Sequence, residues 1–189
     1  MKRAILILKD KLYNEINPIL PLANYQAISK TDNGIEALRM AQRVEPDLIL
    51  CGWDVSGLSA LDLVQNLVHS KICPVILTLD PKEFGNLPLA VKTDVHHILS
   101  TPVRAGDVIA GIIQAEYRFE RDLQFNKEMG KLNDELKTRK LVYQAVLILV
   151  SSGMAEETAY AAIRSEAMTS RKTLRSVAND VIKGTWRPA

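Results

Sequence analysis

The chain has 189 residues, of which 47% are hydrophobic and 24% charged. This length suits one or two domains, and the composition is that of a globular protein with a buried core. No apolar run reaches the roughly 20 residues that span a bilayer, and the five apolar residues after Arg3 are too few for a secretory signal. The sequence therefore predicts a cytoplasmic protein with no membrane segment.

The net charge of +2 is too small to indicate a partner, but the charges are unevenly distributed along the chain. Residues 137–189 contain nine Lys or Arg and four Asp or Glu, whereas residues 1–136 contain fifteen and eighteen. An excess of basic residues in the C-terminal quarter is typical of a module that binds a polyanion. A solvated basic face is the alternative.

Short apolar runs alternate with helical periodicity in the first 103 residues. The apolar runs predict five strands, at residues 4–8, 26–29, 48–52, 75–79 and 97–99. Amphipathic stretches at 34–44 and 58–69 predict helices between strands, and this alternation implies a parallel sheet covered on both faces. Cys51 and Cys73 lie inside apolar runs, so we expect buried thiols and neither a disulfide nor a metal or cofactor site.

Residues 104–138 predict one long helix without an internal proline. Beyond Arg118 its apolar residues follow a 4-3-4 spacing that forms a seam of Phe125, Met129, Leu132 and Leu136. The seam covers only about two heptads, fewer than a firm coiled-coil assignment needs. Because an exposed apolar stripe requires a partner, a parallel dimer is favoured over packing on the same chain.

Residues 139–183 predict three short helices. The first covers 139–150 and ends before Gly153, and the second begins near Glu156 and buries Tyr160 in its apolar stripe. The third is expected to begin with Thr169 or Ser170 as its N-cap. Its polar side then presents three cations, which are Arg171, Lys172 and Arg175.

Residues 1–118 resemble the response-regulator receiver domain, a doubly wound fold with five parallel strands. The resemblance rests on four phrases of the sequence, at residues 32–38, 46–50, 74–77 and 101–102. Phosphorylation in that family uses an acidic pair, an acceptor aspartate, a hydroxyl residue and a lysine around Mg²⁺. The corresponding positions here are occupied by Lys9 and Asp10, Gly52, Leu79, and Thr101.

These replacements imply a pseudo-receiver that does not switch by phosphorylation. Glycine offers no carboxylate at position 52, and Lys9 places a positive charge where the metal would bind. Thr78 is the alternative hydroxyl group if the alignment shifts by one residue. Asp54 is interpreted as a surface-loop residue, because a displacement of 1 Å from productive geometry lowers a rate by about 100-fold.

Residues 139–183 resemble the ANTAR module, the RNA-binding antiterminator domain named for the AmiR and NasR regulators. The residues that carry the resemblance are Arg139, Val142, Gln144, Ala145, Leu149, Gly153, Glu157, Ala159, Tyr160, Ile163, Arg164, Ala167, Met168, Leu174, Val177 and Ala178. The resemblance implies three domains: a pseudo-receiver at 1–118, a coiled-coil linker at 119–138 and an RNA-binding module at 139–189. One position departs from the family, because Val146 stands where a lysine usually follows Gln-Ala.

This resemblance implies binding to hairpins in nascent leader transcripts, by a homodimer that prevents terminator formation. The candidate RNA-contacting residues are Arg139, Lys140, Gln144, Ala145, Tyr160, Arg164, Arg171, Lys172 and Arg175. Aromatic rings that stack on unpaired bases would come from Tyr143 and Tyr160. Three alternatives remain at this level: Tyr160 as a core residue, Arg164 in a salt bridge with Glu157 or Glu166, and Gln144 as a merely solvated residue.

Other functions are weighed against RNA binding. A protein-interaction regulator, such as an inhibitor that forms heterodimers, is favoured by the loss of the lysine at Val146. Duplex DNA binding through the last helix is a weaker alternative. No nucleophile with a neighbouring base, phosphate loop or metal cluster indicates an enzyme, so control is expected from abundance, from a sensor protein or from a ligand on the pseudo-receiver.

Overall fold

The computed structural model describes residues 1–188 and divides into two compact units. The N-terminal unit covers Met1–Gln124, and the C-terminal unit begins at Phe125. No helix within residues 1–188 is both long and apolar enough to cross a bilayer. Each unit has its own hydrophobic core and is described separately.

The N-terminal unit contains one parallel sheet with the strand order β2-β1-β3-β4-β5. Its strands are β1 (Lys2–Ile7), β2 (Tyr25–Thr31), β3 (Leu48–Gly52), β4 (Val75–Leu79) and β5 (His97–Ser100). The predicted doubly wound five-stranded fold is confirmed. β1 begins two residues before its apolar run, because its pairing with β2 extends to the exposed Lys2.

Helices cover both faces of this sheet. They are α1 (Asp10–Ile16), α2 (Gly34–Val44), α3 (Ala60–Ser70) and the short α4 (Leu87–Val91), with 3₁₀ turns at Leu20–Ala23 and Pro81–Asn86. The Asn33 side chain caps α2 by accepting hydrogen bonds from two backbone N–H groups. The Ser59 hydroxyl caps α3 by accepting from the Asp62 N–H, and α3 therefore begins at Ala60 and not at residue 58.

Two cores lie on opposite faces of the sheet. α2 and α3 cover the face that includes Ile5, Ile49 and Val75. The other face, which includes Leu6 and Leu50, is covered by α1 and by the first turns of the long helix that begins at Ala105. The two cysteines are buried and free, as expected, and burial raises the pKa of each thiol to about 12.

A single helix, α5 (Ala105–Ser151), replaces two predicted helices. The expected break between residues 138 and 139 is absent. No proline lies there, and the Thr138 hydroxyl donates to the Asp134 carbonyl one turn earlier over 2.8 Å and does not cap a new helix. Gly130 is accommodated inside the helix, and a Cβ added to it would meet open space. The helix ends where predicted, next to Gly153, whose φ of +98° is the left-handed conformation that glycine adopts easily.

The C-terminal unit contains the second half of α5 together with α6 (Glu156–Thr169) and α7 (Leu174–Ile182). The predicted N-cap of α7 is wrong. Thr169 and Ser170 belong to the end of α6, where their hydroxyl groups donate to carbonyls one turn earlier. Thr173 caps α7 instead, accepting from the Ser176 N–H over 3.2 Å.

The core of the C-terminal unit is built from one side of each of its three helices. Its fully buried residues include Ala145 from α5, Ala159 and Ile163 from α6, and Val177 and Ala178 from α7. Apart from Ile163 these side chains are alanines and one valine, so each of them buries little apolar surface. The opposite sides of all three helices are left to solvent.

Candidate functional site

Most of the predicted RNA-contacting residues lie at solvent-exposed positions of the C-terminal unit. These residues, which we call the cationic surface, are Arg139, Lys140, Gln144, Tyr160, Arg164, Arg171, Lys172 and Arg175. Ala145 is not among them, because it is fully buried in the core. Its predicted role in RNA contact is therefore corrected: its side chain supports the helices and is not available to a ligand.

The cations of this surface differ in how freely they present their charge. The Lys172 ammonium donates to the Asp180 carboxylate over 2.8 Å, and this hydrogen bond raises the pKa of Lys172. Arg164 forms no ion pair with Glu157 or Glu166 within residues 1–188, which removes one of the two alternatives weighed for it. Arg171 and Lys172 lie in the turn before α7 and not on that helix, and Arg171 has a φ of +52°.

Tyr160 is 44% exposed, so its predicted place in the core is wrong. The buried positions of α6 are Ala159, Ile163 and Ala167, which recur every four residues. Tyr160 follows Ala159 by one residue and is rotated by about 100° around the helix axis, away from this stripe. The ring is therefore available at the surface.

Tyr160 and Tyr143 line the same cavity, which has a volume of about 310 Å³. We call it the tyrosine pocket, and its walls include Arg139, Val142, Tyr143, Val146, Glu156 and Tyr160. Val146 is 4% exposed and belongs to the core of the C-terminal unit. The position at which the family usually has a lysine thus contributes an apolar wall in this chain.

A second cavity lies in the N-terminal unit, at the carboxyl ends of four of its strands. We call it the edge pocket; it has a volume of about 510 Å³, and its lining includes Lys9, Gly52, Asp54, Thr78, Asp80 and Thr101. In doubly wound sheets, ligands bind at this edge of the sheet. Three of the five residues of the predicted degenerate phosphorylation site, Lys9, Gly52 and Thr101, line it.

The other two predicted positions, Leu79 and Asp10, do not line the edge pocket. Leu79 is fully buried, and its neighbour Thr78 lines the pocket in its place; the Thr78 hydroxyl donates to the Cys51 carbonyl over 3.3 Å. The Asp10 carboxylate accepts a hydrogen bond from Lys30 outside the pocket lining. That hydrogen bond holds the pKa of Asp10 below its ordinary value.

Position 52 offers no carboxylate to the edge pocket, although the space there would admit a Cβ. A Cβ added to Gly52 would lie 3.5 Å from Leu8 Cδ2 and 3.7 Å from Thr78 Oγ1, which are ordinary contact distances. Lys9 forms an ion pair with Asp54, so a cation occupies the rim of the pocket. Within residues 1–188 no group of three His, Cys, Asp or Glu side chains is arranged to hold a metal ion.

The four residues of the predicted dimer seam are all exposed. Phe125, Met129, Leu132 and Leu136 have between 49% and 64% of their surface accessible. Nothing within the described chain covers them. Their exposure leaves an apolar stripe on the part of α5 that belongs to the C-terminal unit.

His96 is a buried polar residue that the sequence pattern did not single out. It is 5% exposed, and its Nδ1 accepts from the Val75 N–H over 3.0 Å. Burial lowers the pKa of His96. Its position directly before β5, beside an apolar run, was the available signal.

Comparison with solved structures defines the fold of the N-terminal unit as that of a receiver domain. The signal receiver domain of a modulated diguanylate cyclase from Desulfovibrio desulfuricans matches with a TM-score of 0.58 and 19% identity, over 65% of this chain and 98% of that one. A receiver domain protein from Clostridium thermocellum matches with a TM-score of 0.56 and 19% identity, over 64% and 98%. At these identities the likeness concerns the fold alone.

Sequence comparisons identify the C-terminal unit. Residues 130–182 match the family model of the ANTAR domain. The transcriptional regulatory protein PdtaR of Mycobacterium tuberculosis is 25% identical, over 98% of this chain and 92% of its own length. The resemblance to an ANTAR-type response regulator is thus confirmed: a receiver-like fold precedes an ANTAR domain, on a chain similar throughout to a transcription regulator.

Proposed function

We propose that this protein is an RNA-binding transcription antitermination regulator, which binds hairpins in leader transcripts as a dimer and without being phosphorylated. The observation that supports it best is the exposed cationic surface of the ANTAR domain. Five of its arginine and lysine side chains form no ion pair within residues 1–188, namely Arg139, Lys140, Arg164, Arg171 and Arg175.

Unpaired surface cations favour binding to phosphates. Each contact between a cation and a phosphate releases a condensed counterion, so the affinity falls steeply as salt is added. A cation already held by a carboxylate, as Lys172 is by Asp180, contributes less to this effect. Sequence-specific recognition of RNA then depends on unpaired bases that stack on aromatic rings, and Tyr143 and Tyr160 are both exposed on this domain.

The exposed apolar seam of α5 supports the proposal that the protein is a dimer. The exposed Phe125, Met129, Leu132 and Leu136 repeat with coiled-coil spacing, and a second copy of the helix would cover them. A dimer presents two ANTAR domains to paired hairpins. Tethering the two sites then raises avidity through effective concentration.

The receiver-like domain is proposed to regulate by binding rather than by phosphorylation. An acylphosphate requires a carboxylate, and Gly52 offers none at the end of β3. Control would come from the abundance of the protein, or from a sensor protein or small ligand at this domain. The edge pocket is large enough for a small ligand.

A second candidate function is a protein-interaction regulator without RNA binding, for example one that forms heterodimers with an intact relative. Two observations favour it. A buried valine, Val146, stands where the family usually has a lysine, so one cation is missing. The Lys172 ammonium is held by the Asp180 carboxylate and is less available to a phosphate.

Binding to hairpin leader RNA and to duplex DNA across a salt series separates these functions. We expect the purified dimer to bind hairpin RNA more tightly than duplex DNA, with an affinity that decreases linearly on a logarithmic salt scale. Absence of RNA binding even at low salt would eliminate the proposed function and leave the protein-interaction regulator. Equal affinity for duplex DNA would contradict the choice of RNA.

A further inference from the structure

The edge pocket combines an apolar interior with charged groups at its rim. Gly52 and Thr78 are its buried lining residues, and Leu12 and Trp53 line it from half-buried positions. Most of its charged lining residues are exposed to solvent. An apolar lining with a small number of polar groups is the usual composition of a site for a small molecule.

The interior of this pocket suits an apolar group. Gly52 contributes no side chain, and the Thr78 hydroxyl already donates to the Cys51 carbonyl over 3.3 Å. Leu12 and Trp53 supply the larger apolar surfaces. The volume of about 510 Å³ lies within the range of ligand sites, roughly 300–1,000 Å³, so one aromatic ring or branched aliphatic group can enter.

Three of the five charged lining residues are already bound to other groups of the protein. The Lys9 ammonium and the Asp54 carboxylate form an ion pair with each other. The Asp80 carboxylate accepts from the Lys82 N–H over 3.0 Å and from the Thr101 hydroxyl over 3.4 Å. These three charges are therefore satisfied without a ligand.

The other two charged lining residues, Lys11 and Glu15, form no ion pair within residues 1–188. They are four residues apart on α1, so their Cβ atoms are about 5–6 Å apart on one face of the helix. A lysine that precedes a glutamate by four residues pairs with it less favourably than one that follows it. Both charges thus remain available, side by side, at the rim of an apolar interior.

This pair of opposite charges selects for the charge of a ligand. A purely anionic head group is attracted by Lys11 and repelled by Glu15, and a purely cationic one meets the reverse. A head group with one carboxylate and one ammonium offers each residue its opposite charge. Hydrogen bonds between ionised partners are stronger than those between neutral groups.

We propose that the edge pocket binds a free α-amino acid with a large apolar side chain. Its side chain contacts Leu12, Gly52 and Trp53, its carboxylate accepts from Lys11, and its ammonium donates to Glu15. This inference rests on the part of the proposed function that assigns control by a small ligand to the receiver-like domain, and it names the class of that ligand. It requires no RNA.

The test uses the full chain with L-phenylalanine as the probe. The chain contains two tryptophans, so Trp186→Phe leaves Trp53 in the pocket lining as the sole tryptophan. Titration should change the Trp53 emission in a saturable manner, with a Kd of about 1 mM or lower, as expected for a ligand of this size. Isothermal titration calorimetry of the wild type should give the same Kd and one site per chain.

Three analogues of the probe test which of its groups are recognised. 3-Phenylpropionate lacks the ammonium, 2-phenylethylamine lacks the carboxylate, and L-alanine keeps both but lacks the ring. Each should bind at least about tenfold more weakly than L-phenylalanine, because each loses one charge-assisted contact or the apolar contact.

Matched variants assign each charge to its partner. Lys11→Gln should weaken L-phenylalanine and 3-phenylpropionate about tenfold and should not weaken 2-phenylethylamine. Glu15→Gln should weaken L-phenylalanine and 2-phenylethylamine about tenfold and leave 3-phenylpropionate unweakened. Gly52→Val fills part of the interior and should weaken all three, whereas Arg39→Gln removes an exposed cation of α2 outside the pocket lining and should change nothing. Circular dichroism checks that each variant remains folded.

The outcomes separate this site from RNA binding. Neither an emission change nor heat of binding up to the solubility limit of L-phenylalanine would overturn the site. Equal affinity for L-phenylalanine and both of its single-charge analogues would also overturn it, as would binding that survives Lys11→Gln, Glu15→Gln and Gly52→Val unchanged. All of these measurements are made without RNA, so their failure leaves RNA binding untouched. Failure to bind hairpin RNA would, in turn, leave the amino-acid site standing.

Discussion

The two units of the molecule differ in their charge balance and in the fraction of their cations that is held in ion pairs. Of the six ion pairs within residues 1–188, five lie in the N-terminal unit, and one of these, between Lys9 and Asp54, occupies the rim of the edge pocket. The C-terminal unit contains one ion pair and leaves five of its candidate cations unpaired. The net charge of +2 is the sum of a slightly acidic N-terminal unit, with thirteen basic and fifteen acidic residues, and a basic C-terminal unit, with eleven and seven. Five of the thirteen cations are paired in the first unit and one of the eleven in the second.

The cores of the two units are also built differently. The N-terminal unit buries large side chains on both faces of a sheet, whereas the C-terminal unit buries one small core between three helix faces. A small domain has less buried surface in reserve. The C-terminal unit should therefore be the more sensitive of the two to a core substitution.

The largest expected effect is that of Ile163→Ala, which creates a cavity in the small core. Ile163 is fully buried, so the substitution should lower the free energy of unfolding of the C-terminal unit by about 2–5 kcal/mol. Hydrogen exchange resolved by peptide should show faster exchange in α6 and α7 and no change in the sheet. Ile182→Ala, at a site 38% exposed, is the matched control and should have a smaller effect. Equal loss of protection in both units would show that they do not have independent cores.

The second-largest effect is expected on the oligomeric state, when the apolar seam of α5 is changed. Leu132→Glu should shift the protein from dimer to monomer, because each leucine covered in a dimer contributes roughly 1.5–3 kcal/mol and a charge there is repelled by its counterpart. Light scattering over a concentration series measures the shift. Lys131→Glu, one residue outside the seam on the same exposed helix, should leave the dimer intact. A wild-type protein that is monomeric at every concentration would exclude the seam as a dimer interface.

A smaller loss of stability is expected in the N-terminal unit as the pH falls below 6.5. The pKa of His96 is lowered by burial, so the folded state favours the neutral ring. Its stabilising contribution should be complete above the ordinary histidine pKa of 6.5 and decrease as the pH falls below that value. Urea unfolding at several pH values should show this loss in the wild type.

His96→Phe provides the comparison for that measurement. The variant removes the acceptor of the Val75 N–H and should lower the free energy of unfolding by about 1–3 kcal/mol at neutral pH. The decrease in stability below pH 6.5 should then be weaker than in the wild type. An identical pH dependence in the two proteins would assign it to other groups.

The smallest effect should be that of Gly52→Asp. A Cβ at this position meets only ordinary contacts, and the position lines the edge pocket, so the stability should change by less than about 1 kcal/mol. The new carboxylate should still gain no phosphoryl group from a small phosphodonor with Mg²⁺, because Lys9 occupies the rim and Asp10 lies outside the pocket. Intact mass measures this, with Gly52→Ala as the control. A gain of one phosphoryl group by the aspartate variant would show that Gly52 alone prevents phosphorylation of the domain.

Sequence reasoning was accurate where one periodic signal dominated. The apolar runs gave β3 and β4 their observed bounds, and the capping residue Asn33 marks the start of α2. It was less accurate where neighbouring residues competed. Thr169, Ser170 and Thr173 are all possible caps, and only the hydrogen bonds formed in the fold choose between them.

The candidate sites show the same limit. The types of residues in the cationic surface were predictable from composition and family resemblance, but their orientation was not. A shift of one position on α6 separates the buried Ala159 from the exposed Tyr160, and a similar shift on β4 places Thr78 and not Leu79 in the edge pocket. The meeting of Tyr143 with Glu156 and Tyr160 depends on how two helices pack, which no local pattern in the sequence records.

The most direct test of the contrast between the units is a matched reversal of charge. The triple variant Arg139→Glu, Arg164→Glu, Arg171→Glu changes exposed cations of the C-terminal unit, and Arg39→Glu, Arg43→Glu, Lys92→Glu changes the same number of exposed cations in the N-terminal unit. At equal net charge, we expect the first variant to lose at least about 100-fold in affinity for hairpin RNA and to show a shallower salt dependence, while the second retains most of its affinity. Equal affinities in the two variants would contradict the account.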